Sequence, residues 1–133
     1  MECAVFYEQW QMECCGTPFA VGDTIRWLVD TTTDLNTAID VGKIDYCYEA
    51  HSDEWEKLYV FTGRVHGIKI LYERFEREKE GSPMMKRVDG MLMDTEAVDG
   101  AEDDVNEMQA SGYIVHLADA EIRPAKKDEV SFQ

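Results

Sequence analysis

Basic side chains are scarce in this chain of 133 residues: 13 Lys and Arg stand against 28 Asp and Glu, a formal net charge of −15. Sequence-independent binding to nucleic acid draws its affinity from phosphates neutralised by Lys and Arg, so this balance argues against a DNA or RNA binder. No stretch approaches the ~20 apolar residues that a membrane-spanning helix needs. The opening residues, MECAVFYEQW, hold neither a basic n-region nor a long apolar h-region, so a secretory signal is not expected. Without a secretory route, Cys3, Cys14, Cys15 and Cys47 are expected as reduced, largely buried thiols, with the cytoplasm as their compartment. Internal repeats, heptads and low-complexity runs are missing too, as are a His-Glu-x-x-His pair and any closely spaced pair of zinc-type cysteines.

What is present is enough for a core. The chain is 44% apolar with three Trp, six Tyr and five Phe, too apolar and aromatic for a disordered polymer. Its length suits one domain, expected over residues 1–124, with 125–133 as a loose C-terminal tail. The charge is uneven: residues 1–57 carry 12 acids and 3 bases, 58–93 carry 5 and 7, and 94–133 carry 11 and 3. Two acidic blocks flank a slightly basic middle, which reads either as a solvated surface or as a surface for a basic protein partner or a nucleic-acid mimic.

The pattern along the chain is mainly β. Residues 3–10 are rich in β-branched and aromatic side chains, although they do not alternate cleanly. In Thr24–Asp30, Ile25, Trp27 and Val29 alternate with Thr24, Arg26, Leu28 and Asp30, and in Lys43–Glu49, Ile44, Tyr46 and Tyr48 do the same. Leu58–Phe75 is the longest β-like stretch, and Gly63 and Gly67 inside it predict bulges where the strand bends to serve two sides of a closed sheet. Glu73–Glu80 also suits a helix by propensity. Gly81-Ser82-Pro83 marks a turn from which Arg87–Asp94 returns as an antiparallel partner. An acidic loop is expected over residues 94–111, with one helical turn near Asp103–Ala110, and a last strand over Gly112–Leu117. The architecture this predicts is a small antiparallel barrel of about five to seven strands, with a two-layer sandwich or an α+β sheet as alternatives.

The densest cluster of chemistry-bearing residues is Trp10–Asp23, WQMECCGTPFAVGD. This run resembles the N-terminal signature of an uncharacterised bacterial family of small proteins, in which Trp-Gln-Met-Glu-Cys-Cys-Gly is followed by Pro-Phe and Val-Gly-Asp. Weaker similarity continues at Gly63–Ile68 and Gly112–Val115. The resemblance implies kinship and a bacterial origin, and transfers no catalytic residue.

Three readings of Cys14 and Cys15 stay open: buried structural thiols, zinc ligands, or a reactive thiol. A zinc site would draw on Cys14 with Cys47 and His51, whose four-residue spacing suits one turn or loop. A reactive thiol needs an electropositive setting, and Glu13 next to Cys14 opposes one. His51, His66 and His116 stand in no recognisable triad. The acidic segment Asp94–Glu107 lacks the spacing of a calcium loop. Tyr46, Tyr48, Trp55, Tyr59, Phe61 and Tyr72 fill a core or form a stacking platform for single strands. The absence of a complete reaction centre favours a non-enzymatic acidic module that binds a protein. The competing expectation is a small ligand- or metal-binding barrel, enzymatic or not, with a pocket around Trp10, Cys14, Cys15, His51 and His66, and zinc as its one candidate cofactor.

Overall fold

The computed structural model of the chain describes residues 2–31, 35–50, 52, 54–81 and 83–129, without the side chain of Cys15. Its first strand, β1 (Cys3–Glu8), is buried without a break from Cys3 to Tyr7. Cys3, Val5 and Tyr7 enter one apolar cluster while Ala4 and Phe6 enter another on the opposite face. A strand covered on both faces keeps no polar side, hence the poor alternation of its sequence.

The expected extension of this strand to Trp10 does not occur. The chain winds instead into α1 (Gln9–Cys15), which turns Gln11 and Met12 inward and leaves Trp10, Glu13 and Cys14 exposed. The helix stops at Gly16, whose N–H donates to the carbonyls of Gln11 at 2.9 Å and Met12 at 3.2 Å. A Cβ at Gly16 would stand 2.2 Å from Tyr7 Oη, so only glycine lets the helix end settle on this ring. After a two-residue strand, β2 (Phe19–Ala20), come β3 (Thr24–Asp30) and the short β4 (Tyr46–Tyr48). Ile25 and Val29 are buried in the first cluster and Trp27 packs against it, as the alternation predicts. In β4, Tyr46 and Tyr48 pack on this cluster, whereas Cys47 and the preceding Ile44 belong to the second.

Two long strands carry the rest: β5 (Tyr59–Arg77) and β8 (Gln109–Pro124), with β6 (Met85–Thr95) and the small β7 (Ala97–Val98) between them. The β5–β8 ladder slips between Thr62 and Arg64 and between Val65 and Gly67, where Gly63 and Gly67 predict bulges, and again between Leu71 and Tyr72. These slips bend β5. Its first part, Tyr59–Arg64, pairs with β3, and Ile68–Arg77 pairs with β6, while β8 follows it along most of its length. Residues 73–77 are therefore strand, and the helix alternative does not hold there.

The main sheet runs β3-β4-β1-β8-β5-β6, and a β3–β5 ladder closes five of the six strands into a ring, with β6 attached outside. β2 and β7 pair separately and bring Phe19 and Val98 into the first cluster, which is the core inside the ring. The expectation of an antiparallel sheet needs one correction, because β1 pairs with β4 in parallel through Val5–Tyr46 and Phe6–Cys47. A second correction concerns the helical turn expected near Asp103–Ala110. Asn106 and Glu107 take φ of 52° and 64°, and Val105 and Met108 exchange backbone hydrogen bonds around them, a tight turn that feeds β8. Among the described residues the α-helix is α1, with single 3-10 turns at Trp55–Lys57 and Lys127–Glu129.

The segment expected as a loose tail from residue 125 is docked as far as Glu129. Ala125 is buried and donates to the Leu58 carbonyl at 3.0 Å. Glu129 accepts from Arg123 at 2.5 and 2.7 Å and from Arg26 at 2.7 Å. Bonding to Arg123, with help from the Lys126 N–H, holds its carboxyl down at about 2.

Candidate functional site

The second cluster lies on the outer face of the ring. Ala4, Phe6, Leu71 and Ile114 project from β1, β5 and β8, and Leu35, Ile39 and Val41 of the β3–β4 connection strap across them. The strap is held by a charge. Glu73 of β5 is almost completely buried, and its carboxylate accepts from Ala38 N–H at 2.7 Å, Ser111 Oγ at 2.7 Å and Arg87 Nε at 3.1 Å. A buried carboxylate is tolerated when it is paired and fully hydrogen-bonded, and here the partners come from the strap, β8 and β6.

Between the strap and the ends of β1, β3 and β4 a cleft of about 400 Å³ remains. Phe6, Leu35 and Cys47 form its apolar walls, Tyr48 borders it with its ring turned into the inner core, and Glu73 with Arg87 and Ser111 forms one end. Glu8, Asp30 and Glu49 supply three further carboxylates. Arg87 is the only cation lining the cleft among the described residues, and its Nε is bound to Glu73.

Local strand geometry gathers these acids. Each sits at the C-terminal end of an apolar strand: Glu8 closes β1, Asp30 closes β3, and Glu49 follows β4. Cys47 is paired across the sheet with Phe6 on one side and Asp30 on the other. Carried two residues on, the parallel register of Phe6 with Cys47 sets Glu8 beside Glu49. The Cys47 thiol reports this field. Burial, followed by the charges of Asp30, Glu8 and Glu49, pushes it up to about 12, so it stays protonated near neutral pH and is a poor nucleophile.

α1 is fixed to the same corner. Gln11, fully buried, donates to Tyr48 O at 3.2 Å and Glu8 Oε1 at 3.3 Å and accepts from Ala50 N–H at 3.1 Å. Trp10 Nε1 donates to the other Glu8 oxygen at 2.9 Å, which sets the indole beside the cleft.

The residues singled out from the sequence do not share one place. Trp10 and Cys14 are exposed on α1, and Cys47 lines the cleft from β4. His66 is exposed on β5 at a bulge, next to the Ala4–His116 pair and so at the opposite end of β1 from α1. His51 and the Cys15 side chain lie outside the described residues. Among the described residues no three His, Cys, Asp or Glu side chains gather as a metal site. Of the aromatics expected as core or stacking platform, Phe61 and Tyr72 are buried and Tyr46, Tyr48 and Tyr59 lean on the inner core, whereas Trp55 is half-buried in a short turn before β5 and joins no core cluster. Tyr7, Trp27 and Tyr48 contact one another with centroids 3.8 to 5.8 Å apart, leaving no slot for a base between them.

Sequence reasoning missed Glu8, Asp30, Glu49, Glu73 and Arg87. A signal for the first three was present in CAVFYE, TIRWLVD and KIDYCYE, three apolar strands that each end in an acid. No helix among the described residues is long and apolar enough to cross a membrane. The chain belongs to a family of unknown function, DUF6578, whose model matches residues 1–119 and so covers most of the fold. No curated protein and no solved structure matches it.

Proposed function

We propose that the protein is a binding module whose outer cleft takes a positively charged organic group. The observation that carries this reading is the composition of the cleft: apolar walls from Phe6, Leu35 and Cys47 under a rim of Glu8, Asp30 and Glu49. Such a lining complements a guanidinium or ammonium on an aliphatic stem, because the stem is desolvated against the walls while the head keeps carboxylate partners. The closed, protonated state of the Cys47 thiol favours binding over nucleophilic chemistry at this site. The cytoplasm is the compartment we assign; the thiols of Cys3 and Cys47 suit a reducing environment, and the Trp10–Asp23 resemblance alone suggests a bacterial origin.

Titration calorimetry with agmatine as the probe tests the reading. Agmatine should bind, more weakly as salt is raised, and Glu8→Gln with Glu49→Gln should lower its affinity about tenfold, equivalent to about 1.4 kcal/mol. Glutarate should not bind. No heat with agmatine, or equal heat with glutarate, refutes the cationic assignment.

A further inference from the structure

The cleft does not end at its rim. Trp10 is 49% exposed, and its Nε1 holds the Glu8 carboxylate that lines the cleft. An exposed tryptophan is a costly surface residue in a soluble domain and is the side chain most enriched at the centre of protein interfaces. The helix that carries it is fixed from two sides. Gln11 ties it to β4, and Gln9 Nε2 donates to Gly100 O at 2.6 Å, which joins it to the loop before β8. Gly100 is buried at φ of 84°, and a Cβ there would stand 2.9 Å from Met12 Cγ, so loop and helix approach as closely as glycine allows.

This loop is anchored and strongly acidic. Glu102 accepts from the Tyr113 hydroxyl and from the Asp99 and Gly100 N–H groups, while Asp99, Asp103 and Asp104 are exposed. Residues 9–15 and 99–104 together contain Glu13, Asp99, Glu102, Asp103 and Asp104 and no Lys or Arg. An exposed indole bound to one carboxylate, on a helix tied to an acidic loop, suits a cation–π contact with arginine, and the charge of helix and loop attracts further basic residues while repelling nucleic acid and anionic lipid.

We propose that the Trp10 face of α1, together with the acidic loop, docks a basic polypeptide segment, one arginine or lysine of which enters the cleft. This rests on the cationic reading of the cleft and adds to it the polypeptide that presents the charge. The platform is already ordered, so binding does not spend free energy on arranging it.

The test is fluorescence anisotropy with a labelled peptide of alternating arginine and glycine, compared with calorimetry on agmatine. The peptide should bind at least about tenfold more tightly than agmatine. Because Trp10 also holds Glu8, the gain of peptide over agmatine is measured within each variant: Trp10→Ala should remove most of that gain, while Trp10→Phe, which loses the same bond to Glu8, keeps a ring and most of the gain. Far-ultraviolet circular dichroism and the thermal transition verify that the variants fold. Equal binding of the peptide by wild type and Trp10→Ala overturns the docking surface, as does preferential binding of neutral or anionic vesicles over the peptide. Loss of agmatine binding with a Trp10-dependent peptide complex instead overturns the cleft reading and leaves the α1 face as the site.

Discussion

The two faces of β1 carry two different kinds of core. Inside the ring, Val5 and Tyr7 meet Phe61, Val65, Tyr113 and Val115, all buried and drawn from strands that pair on both edges. Outside, Ala4 and Phe6 meet Leu71 and Ile114 under a strap that adds half-buried Leu35, Ile39 and Val41 and buried Ile44 and is fastened by Glu73. The inner core is closed by backbone ladders, so its packing leaves aromatic rings in contact. The outer core is closed by polar anchors, Glu73 to Ala38 and Asp45 to Ala4 among the described residues, and the space they leave is the cleft. The cleft arises on the side where closure depends on side chains, because that side has room and ionisable groups without opening the ladders that hold the fold.

The sharpest test of this contrast is truncation on each face. Phe61→Ala removes a fully buried ring from the inner core and should cost about 3–5 kcal/mol in urea unfolding. Leu35→Ala, on the strap, should cost about 1 kcal/mol because its side chain is only half buried. Equal costs would break the comparison and make the strap an integral part of the main core.

Next in size is Glu73→Ala, which leaves Arg87, Ser111 and the Ala38 N–H without their shared acceptor and should cost about 1–3 kcal/mol. Hydrogen exchange locates the effect: the Ala38 amide should lose protection while amides of β1 and β8 lose only what the global destabilisation requires. Uniform loss across both faces would show that Glu73 holds the whole domain.

The smallest effect is chemical. Because the Cys47 thiol is pushed up to about 12, alkylation of it should be slow at pH 8 and still accelerating at pH 10, since the thiolate fraction rises until the pH passes that value. Cys14, exposed on α1, should label first, and mass spectrometry of a Cys15→Ser background separates the two. Rapid labelling of Cys47 at pH 8 would mean that the acidic field of the cleft is weaker than its geometry indicates.

Much of the fold was legible in the residues. The alternation of Thr24–Asp30, the bulges at Gly63 and Gly67 and the return strand after Gly81 are local signals, and the ladders follow them. α1 was hidden because Trp10, Met12 and the cysteines suit a strand as well as a helix in so short a run, and what decides is the burial of Gln11 against β4. The turn at Asn106-Glu107 was hidden because left-handed backbone without glycine carries little signal in sequence. The candidate site was the least legible part. Its acids come from three strands and its anchor from a fourth, and no spacing in the chain relates them.

By itself, then, the sequence determined an acidic, aromatic-rich, mainly β chain in which three apolar strands end in carboxylates, since those properties follow from residue type and period alone. The tertiary structure decided what these ends do. Pairing β1 with β4 in parallel, a contact between distant segments that local propensity cannot specify, brings Glu8 and Glu49 to one end of the sheet and sets them on the cleft beneath the strap.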